Sequence, residues 1–485
     1  MHLGQLLAGE NVQVEGSLDQ EIRDIVCDSR QVQPHTLFVA IRGGQEVDRH
    51  FFVGDAAQRG AAAIVVEDDI DCGPTTRILV QDSRRLLPRL ASRFQGEPSL
   101  ELQCVGVTGT NGKTTTAWLL HNIQQTAGQV SAYIGTMGYI CAESEVAVAN
   151  TTPEAPTLQQ LLRDALNEGA TSVAMEVSSH ALALHRTDEI QFAAALFTNL
   201  TRDHLDFHGT VESYLAAKGR LFQELDDQAM AVLNRDDPVW DAMAARTSAQ
   251  VLTYGVEDHA AHVHPVSISA SLFETRCRVA WPQGEFEVVS PLTGRFNLSN
   301  IMAAVAGGLA LGVEADAMCE AIAQAPRVPG RFERIDEGQS FGVLVDYAHT
   351  PAGLQTCLEA ARELTQGRLF CVFGCGGDRD VGKRPLMGQV AAKLADAVYL
   401  TSDNPRSESP QQILEQIQRG MDDSMSVRVD VDRRVAIEAA LNEACPGDLV
   451  VIAGKGDEPY QLLADGPIDF DDRLIAREVL KQAAQ

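Results

Sequence analysis

From residue 100 onward, short apolar runs alternate with longer stretches of helical spacing. "CVGV", "SVAMEV", "AALFTNL" and "MAVLN" come first, and "GVLVDY", "RLFCVFG", "AVYLTS" and "DLVVIAG" follow after residue 340. Each run ends in polar or Gly-rich residues. Apolar runs separated by helices form parallel strands, so the pattern predicts an α/β fold with mainly parallel sheets. The first part of the chain is less regular, and "LFVAIRGG" and "AAAIVVED" are its expected strands.

Gly and Pro break the pattern twice. "RFQGEPSLELQ" (93–103) stops a helical stretch before the strand "LQCVGV", and "AQAPRVPGRFERI" (323–335) separates a helix from a new strand region. These joints predict domains at 1–99, 100–328 and 329–485. A length of 485 residues agrees with about three domains. No internal repeat or low-complexity tract interrupts them.

Charge narrows the partners. Thirty-nine basic against sixty-seven acidic residues give a formal net charge of −28. Nucleic acid and anionic membrane both call for basic patches, so neither is expected as a partner. An anionic substrate would need local cations. The ten cysteines show no paired CxxC spacing, and Cys371 and Cys375 have no second pair or His cluster, so zinc is not expected. Reduced thiols and a cytoplasmic location fit better. "MHLGQLLAGENVQ" lacks the basic start and apolar run of a signal peptide, and "AVAGGLALGV" is too short to span a bilayer.

In parallel α/β sheets ligands collect beyond the carboxyl ends of the strands. "CVGVTGTNGKTTTAWLL" reads as strand, Gly-rich loop and helix. Gly109 and Gly112 let backbone N–H groups turn toward phosphate oxygens, and the helix N-terminus adds its dipole. Lys113 would neutralise the β- and γ-phosphates, and Thr114 would ligate Mg²⁺. Val107 stands where the general phosphate-loop pattern has Gly. A strand-to-helix turn without phosphate is the plainer alternative.

Other residues are read on their own terms, Glu176 and His204 with two readings each. Glu176 closes "SVAMEV": a carboxylate there suits Mg²⁺, or serves as a surface residue or cap. "FTNLTRDHLDFHG" (197–209) places His204 past another strand, as a metal ligand or a hydrogen-bonded loop histidine. Lys218 in "YLAAKGRLF" reads as a helix-surface lysine. Asn297 or Ser299 in "GRFNLSN" suits a helix N-cap. "DNPR" (403–406) reads as an Asx-type turn.

With its ordered landmarks, the chain resembles the Mur ligases, the ATP-dependent amide-bond formers of peptidoglycan precursor synthesis. Those landmarks are "TGTNGKTTT", "NTTPEA", "MEVSSHALALHR", "NLTRDHLDFHG", "YLAAKGRLF", "GRFNLSN", "VPGRFE", "VDYAHTP", "GCGGDRDVGKRPLM", "DNPRSE" and "AGKGDEPYQ", spread over essentially the whole chain. The resemblance implies a three-domain architecture: an N-terminal UDP-sugar domain, a central P-loop ATPase-like domain and a C-terminal Rossmann-like domain that closes over the site. It implies that a γ-phosphate passes to a substrate carboxylate and that an amine then attacks the acyl phosphate. Cations must bring carboxylate and triphosphate together.

The same resemblance assigns residues. Gly109, Thr110, Asn111, Gly112, Lys113, Thr114 and Thr115 form the ATP loop. Thr114 and Glu176 match one Mg²⁺ centre, and His204 with a carbamylated Lys218 the second. Asn297 and Asn300 match adenine-side contacts, Arg331 a phosphate contact and Asp346 a ribose contact. Ser29 in "CDSR" and Gln45 in "RGGQEVDRH" match the uracil and diphosphate region. Asn150, Thr151 and Thr152, with Ser178 and Arg186, match contacts to the acceptor peptide, the fork of Arg186 suiting a carboxylate. Leu184 stands where some relatives carry Gln.

"NTTPE" together with "DNPR" implies the branch that adds meso-diaminopimelate to a UDP-N-acetylmuramoyl dipeptide. Pro405 would stiffen the turn by fixing φ. Arg406 would then grip the distal carboxylate that lysine lacks, with Asp403 and Asn404 beside it. Arg379, Gly454 and Glu458 complete that set, Glu458 facing an ammonium. Asp457 stands where many relatives have His. A monomer is expected. The alternatives are a ligase adding lysine or another amine, a folylpolyglutamate-type synthetase, and a nucleotide-binding switch without catalysis.

Overall fold

The computed structural model describes residues 1–43, 48–421 and 426–483. Two compact units result, one formed by Met1–Leu200, His204–Thr253 and Ala303–Glu314, the other by Thr201–Asp203, Tyr254–Met302 and Ala315–Gln485.

The first unit holds two sheets. The smaller runs Gln13–Glu15, Thr76–Leu79, Ala63–Val66, Thr36–Val39, Asp24–Val26, parallel except for the first strand. The larger runs Gln250–Tyr254, Met230–Asn234, Phe192–Phe197, Gln103–Thr108, Ser172–Glu176, Ser131–Gly135, Gly138–Cys141, Ser144–Val146. Its middle is parallel, and the last two strands turn back as an antiparallel meander. The alternation of apolar runs and helices anticipated the parallel strands. The meander is short and mixed in polarity, so it left no such trace.

Register decides what meets at the carboxyl edge. Glu176 pairs with Val107, and Phe197 with Thr108. The loops leaving these three strands therefore start side by side.

In the second unit the main sheet runs Glu333–Arg334, Gly342–Asp346, Leu449–Ala453, Leu369–Phe373, Ala397–Leu400, Val427–Val429. All pairs are parallel but the first. Alternate side chains enter opposite cores, as strand geometry requires. Leu369, Cys371 and Phe373 join one cluster, and Phe370 and Val372 the other. Both faces are covered, which is why these strands read as unbroken apolar runs. A separate antiparallel sheet of His264–Ala270, Thr275–Trp281 and Gly284–Ser290 also belongs to this unit. No helix among the described residues is long and apolar enough to cross a membrane.

Candidate active site

Strand Gln103–Thr108 delivers the chain to the Gly-rich loop, and the helix Lys113–Thr126 carries it away. Gly112, at φ +85°, begins the helix in a conformation that side chains disfavour. At Gly109, also at positive φ (+155°), space adds to the constraint: a Cβ would lie 1.8 Å from Thr198 Oγ1. The loop is tied to the next strand's end, with Thr110 N–H donating to Asn199 O (2.8 Å) and Asn111 N–H to Asn199 Oδ1 (2.9 Å). Lys113 Nζ folds back onto the carbonyls of Gly109 (3.0 Å) and Thr110 (2.9 Å). Thr115 is buried in the helix.

Glu176 is neither a surface residue nor a cap: it is 1% exposed. Tyr133 Oη (2.6 Å) and Thr136 N–H (2.8 Å) donate to its Oε1, while the Thr114 hydroxyl donates to Oε2 at 2.9 Å. Lys218 is also not the surface lysine its sequence suggests. It is 1% exposed, and its Nζ donates to Gly109 O at 2.7 Å and stands 4.5 Å from the centre of the Tyr214 ring. Thus Thr114, Glu176 and Lys218 all bear on one loop.

His204 takes a left-handed backbone conformation at φ +51° and packs edge-on against His180, ring centres 4.7 Å apart. Burial, reinforced by the neighbouring His204, pushes the imidazoles of His180 and His208 down to about 4, so both are neutral at pH 7. Among the described residues no three His, Cys, Asp or Glu side chains converge as a metal cage. Mg²⁺ needs none, because it binds through one or two carboxylates and fills its shell with water and phosphate oxygens. The Thr114–Glu176 pair fits such an ion.

Beside Glu176, the loop 150–154 is anchored through Thr152. Its hydroxyl donates to Glu176 O (2.8 Å) and accepts from Ser178 N–H (3.0 Å). Ser178 caps the next short helix by accepting from Ala181 N–H at 3.1 Å. Arg186 does not reach outward with its whole fork. It donates to Thr152 O (3.1 Å) and pairs with Glu154 at 2.8 Å, while its buried Nε has no hydrogen-bond partner among the described residues. Thr151 Oγ1 lies 3.2 Å from Thr136 Oγ1, and Asn150 is exposed. Further toward the N-terminus, Ser29 is buried in the turn Ser29–Gln31, which the Asp28 side chain caps. Gln45 lies outside the described residues.

The second unit gathers the remaining residues. Helix Arg295–Ala310 starts two residues before Asn297, so neither Asn297 nor Ser299 is its cap. Asn297 instead donates to Thr293 O (2.9 Å) and accepts from Asn300 (3.1 Å), and both residues are buried. Asp346 ends its strand and accepts from the N–H groups of Phe332 and Ala348, each at 2.8 Å. Burial raises its carboxyl above the usual range, against the opposing pull of Arg331. The Arg331 guanidinium stacks 4.1 Å from the centre of the Tyr347 ring.

Strands Leu369–Phe373, Ala397–Leu400 and Leu449–Ala453 send three loops out of one sheet edge. The "GGDRD" and "DNPR" loops are cross-tied: Gly377 N–H donates to Asn404 O (2.9 Å) and Arg406 Nη1 to Gly377 O (2.8 Å). Asn404 donates to Glu458 Oε2 at 2.8 Å. A Cβ at Gly454 would meet Asp403 Oδ2 at 2.6 Å. Pro405 is buried, and Arg406 adopts φ +53° with its N–H on Leu462 O at 3.0 Å. A non-glycine residue in that region is uncommon and marks a constrained position. Among the described residues no carboxylate pairs with Arg406. Arg379 is exposed and donates only weakly, to Asp378 O at 3.4 Å.

Known proteins carry the same organisation. Residues 107–308 match the Mur ligase middle domain, and 330–456 match the Mur ligase, glutamate ligase domain. A UDP-N-acetylmuramoyl-L-alanyl-D-glutamate--2,6-diaminopimelate ligase of Syntrophomonas wolfei is 43% identical over 490 residues, covering 99% of each chain. The chain belongs to the Mur ligase family. A ligase of the same name from Geobacillus kaustophilus is 44% identical over 94% of each chain. A solved structure of a UDP-N-acetylmuramoyl-L-alanyl-D-glutamate--2,6-diaminopimelate ligase superposes with a TM-score of 0.73 at 33% identity, covering 100% of this chain and 99% of that one. The three-domain α/β class expected from the motifs is that of the family.

Several Mur ligase side chains escaped the sequence reading. Tyr133 holds Glu176, Glu154 holds Arg186, and Lys455 holds Asn404 and Glu458. Glu154 and Lys455 lay inside quoted motifs, "NTTPEA" and "AGKGDEPYQ", without being singled out, and Tyr133 lay in none. Tyr133 and Lys455 sit in or just past strands, where nothing in the spacing says which polar atom they will meet.

Proposed function

We propose that this Mur ligase joins meso-diaminopimelate to the D-glutamyl carboxylate of UDP-N-acetylmuramoyl-L-alanyl-D-glutamate, with ATP converted to ADP and phosphate. The observation that carries the amine assignment is Arg406. Its backbone is strained, its head is oriented by Gly377 O, and no acidic side chain among the described residues neutralises it in a chain with 67 acidic residues. A guanidinium so held suits a carboxylate brought by the substrate.

In this reading the loop from Gly109 to Thr115 holds the triphosphate against the helix N-terminus, and Lys113 leaves its loop carbonyls for the phosphates. The acceptor carboxylate, seated by 150–154, Ser178 and Arg186, attacks the γ-phosphorus, and ADP departs. The amine of diaminopimelate then attacks the acyl carbon, and phosphate leaves. Arg406, Asn404 and Glu458 fix the far end of that amino acid, with Asp403, Pro405, Arg379 and Gly454 shaping their surroundings. Mg²⁺, held by Thr114 and Glu176 and, for a second ion, by His204 and carbamylated Lys218, would neutralise charge at phosphoryl transfer. Ser29 and Gln45 serve the UDP moiety. Asn297, Asn300, Arg331 and Asp346 serve the nucleotide. The division at 1–99, 100–328 and 329–485 assigns UDP-sugar, ATP and amino acid to successive domains. The enzyme is a cytoplasmic monomer.

Phosphate release from ATP with the UDP-muramoyl dipeptide tests this directly. Release stimulated by meso-diaminopimelate and not by L-lysine supports the assignment. Equal stimulation by lysine overturns it, and release indifferent to every amine points to a nucleotide switch.

A further inference from the structure

Lys455 follows strand Leu449–Ala453 in the turn Gly454–Gly456, and none of its side chain is exposed. Burying an ammonium is costly unless it is paired and hydrogen-bonded. Both of its polar contacts are residues of the amino-acid subsite. Nζ donates to Asn404 Oδ1 at 3.1 Å and to Glu458 Oε2 at 3.0 Å.

The consequences follow atom by atom. Asn404 Oδ1 receives Lys455 and the Leu462 N–H (2.9 Å). An amide oxygen facing two donors leaves the amide nitrogen on the other side, where it donates to Glu458 Oε2 at 2.8 Å. Glu458 Oε2 thus accepts twice. Both bonds fall on one oxygen, which sets the rotation of the carboxylate and leaves Oε1 turned away from Lys455 and Asn404. Charge follows too. Lys455 compensates Glu458 at 3.0 Å, while Arg406 has no carboxylate among the described residues.

We propose that Lys455 is the positioning residue of the amino-acid subsite: it orients Asn404 and Glu458 and offsets the Glu458 charge, so that Arg406 decides which amino acid is taken. Without Lys455, Glu458 would lose its ion-pair partner and attract the side-chain ammonium of lysine. With it, a substrate offering only that ammonium gains little, and one adding a carboxylate for Arg406 gains most. This inference rests on the diaminopimelate reading above.

The test compares wild type, Lys455→Met, Glu458→Gln and the double variant by amine-dependent phosphate release. Lys455→Met should raise the diaminopimelate KM about 30-fold, the size expected for losing a charged hydrogen bond. The KM values for ATP and the UDP-dipeptide should move less than about 2-fold, and the preference for diaminopimelate over lysine should fall about 10-fold. Because discrimination runs through the Glu458 charge, the double variant should match Glu458→Gln alone in preference, while its KM also carries the lost Lys455–Asn404 bond. That comparison stands even where Lys455→Met alone does not fold, because the double variant removes both charges and Glu458→Gln leaves Lys455 hydrogen-bonded to Asn404 Oδ1. Unchanged preference in Lys455→Met, equal losses for all substrates, or preference losses that multiply in the double variant would each overturn the proposal. Wild type that ignores diaminopimelate would instead overturn the functional reading itself.

Discussion

Arg384 grips Glu408 with both arms of its guanidinium, Nη1 to Oε2 and Nη2 to Oε1, each at 2.8 Å, and its side chain is 0% exposed. Nη2 also reaches Gly376 O at 3.3 Å, and Asp378 N–H donates to Glu408. The pair therefore locks the "GGDRD" loop to the "DNPRSE" loop from beneath the Arg406 turn.

That pair makes stability depend on acid. The Arg384 hydrogen bond, helped by the Asp378 N–H, pulls the Glu408 carboxyl from its ordinary 4.5 down to about 2. A depressed carboxyl stabilises the fold fully above its unfolded value and loses that contribution as pH falls toward its folded value. Glu408→Gln should cost about 3 kcal/mol at pH 7, the low end for breaking a buried pair, since Glu408 keeps 29% of its side chain exposed. The gap between variant and wild type in urea unfolding should shrink from pH 4.5 to pH 2. A gap independent of pH would contradict the assignment.

Arg406→Ala removes a guanidinium that no carboxylate among the described residues pairs. The diaminopimelate KM should rise about 10²-fold or more, because a buried-end carboxylate loses its charged partner. ATP affinity, measured by calorimetry, should stay within about 2-fold. Unchanged turnover would remove Arg406 from the amino-acid subsite.

Lys218→Ala deletes a buried side chain that reaches Gly109 O at 2.7 Å. Turnover should fall about 10³-fold, in the range for losing one preorganised electrostatic group. If Lys218 acts as a carbamate, acetate or another small carboxylate should restore part of it, and mass spectrometry of the native protein should find an added CO₂. Rescue by small amines instead would assign the free ammonium as the working form.

Gly109→Ala drives a methyl into Thr198 Oγ1, 1.8 Å from the ideal Cβ. The loop must shift, so nucleotide affinity should drop about 10-fold or more while the thermal midpoint moves only a few degrees. Gly109→Ala with Thr198→Ala should recover part of the affinity. No recovery would mean that backbone conformation, not this contact, makes Gly109 necessary.

How far the sequence led is clearest at Lys218. Tyr214, Ala217, Lys218, Leu221 and Phe222 lie at spacings of i, i+3, i+4, i+7 and i+8, all buried on helix Val211–Gln223. The buried stripe was therefore legible, but a lysine within it reads as surface until the carbonyl it serves is known. The parallel strands were legible for the opposite reason: burial on both faces leaves Leu449–Ala453 or Leu369–Phe373 no room for polar residues. Asn297 misled, because Asn near a helix start suggests a cap, whereas its amide turns back to Thr293 O inside the first turn. The fork of Arg186 looked free for substrate, yet Glu154 and Thr152 O already hold it. Such pairings depend on distant loops meeting, which local spacing does not encode.

Thr152 gives the two halves of the proposed reaction a common ruler. Its single hydroxyl spaces the backbone of Glu176 from that of Ser178, at 2.8 Å and 3.0 Å. In the proposed reading, the seat of the acceptor peptide and the carboxylate that would face Mg²⁺ are thereby fastened to one atom. An engineer who wishes to lengthen the acceptor should leave that atom in place and rebuild the opposite wall, since any insertion at 150–154 would drag the phosphoryl-transfer machinery along with it.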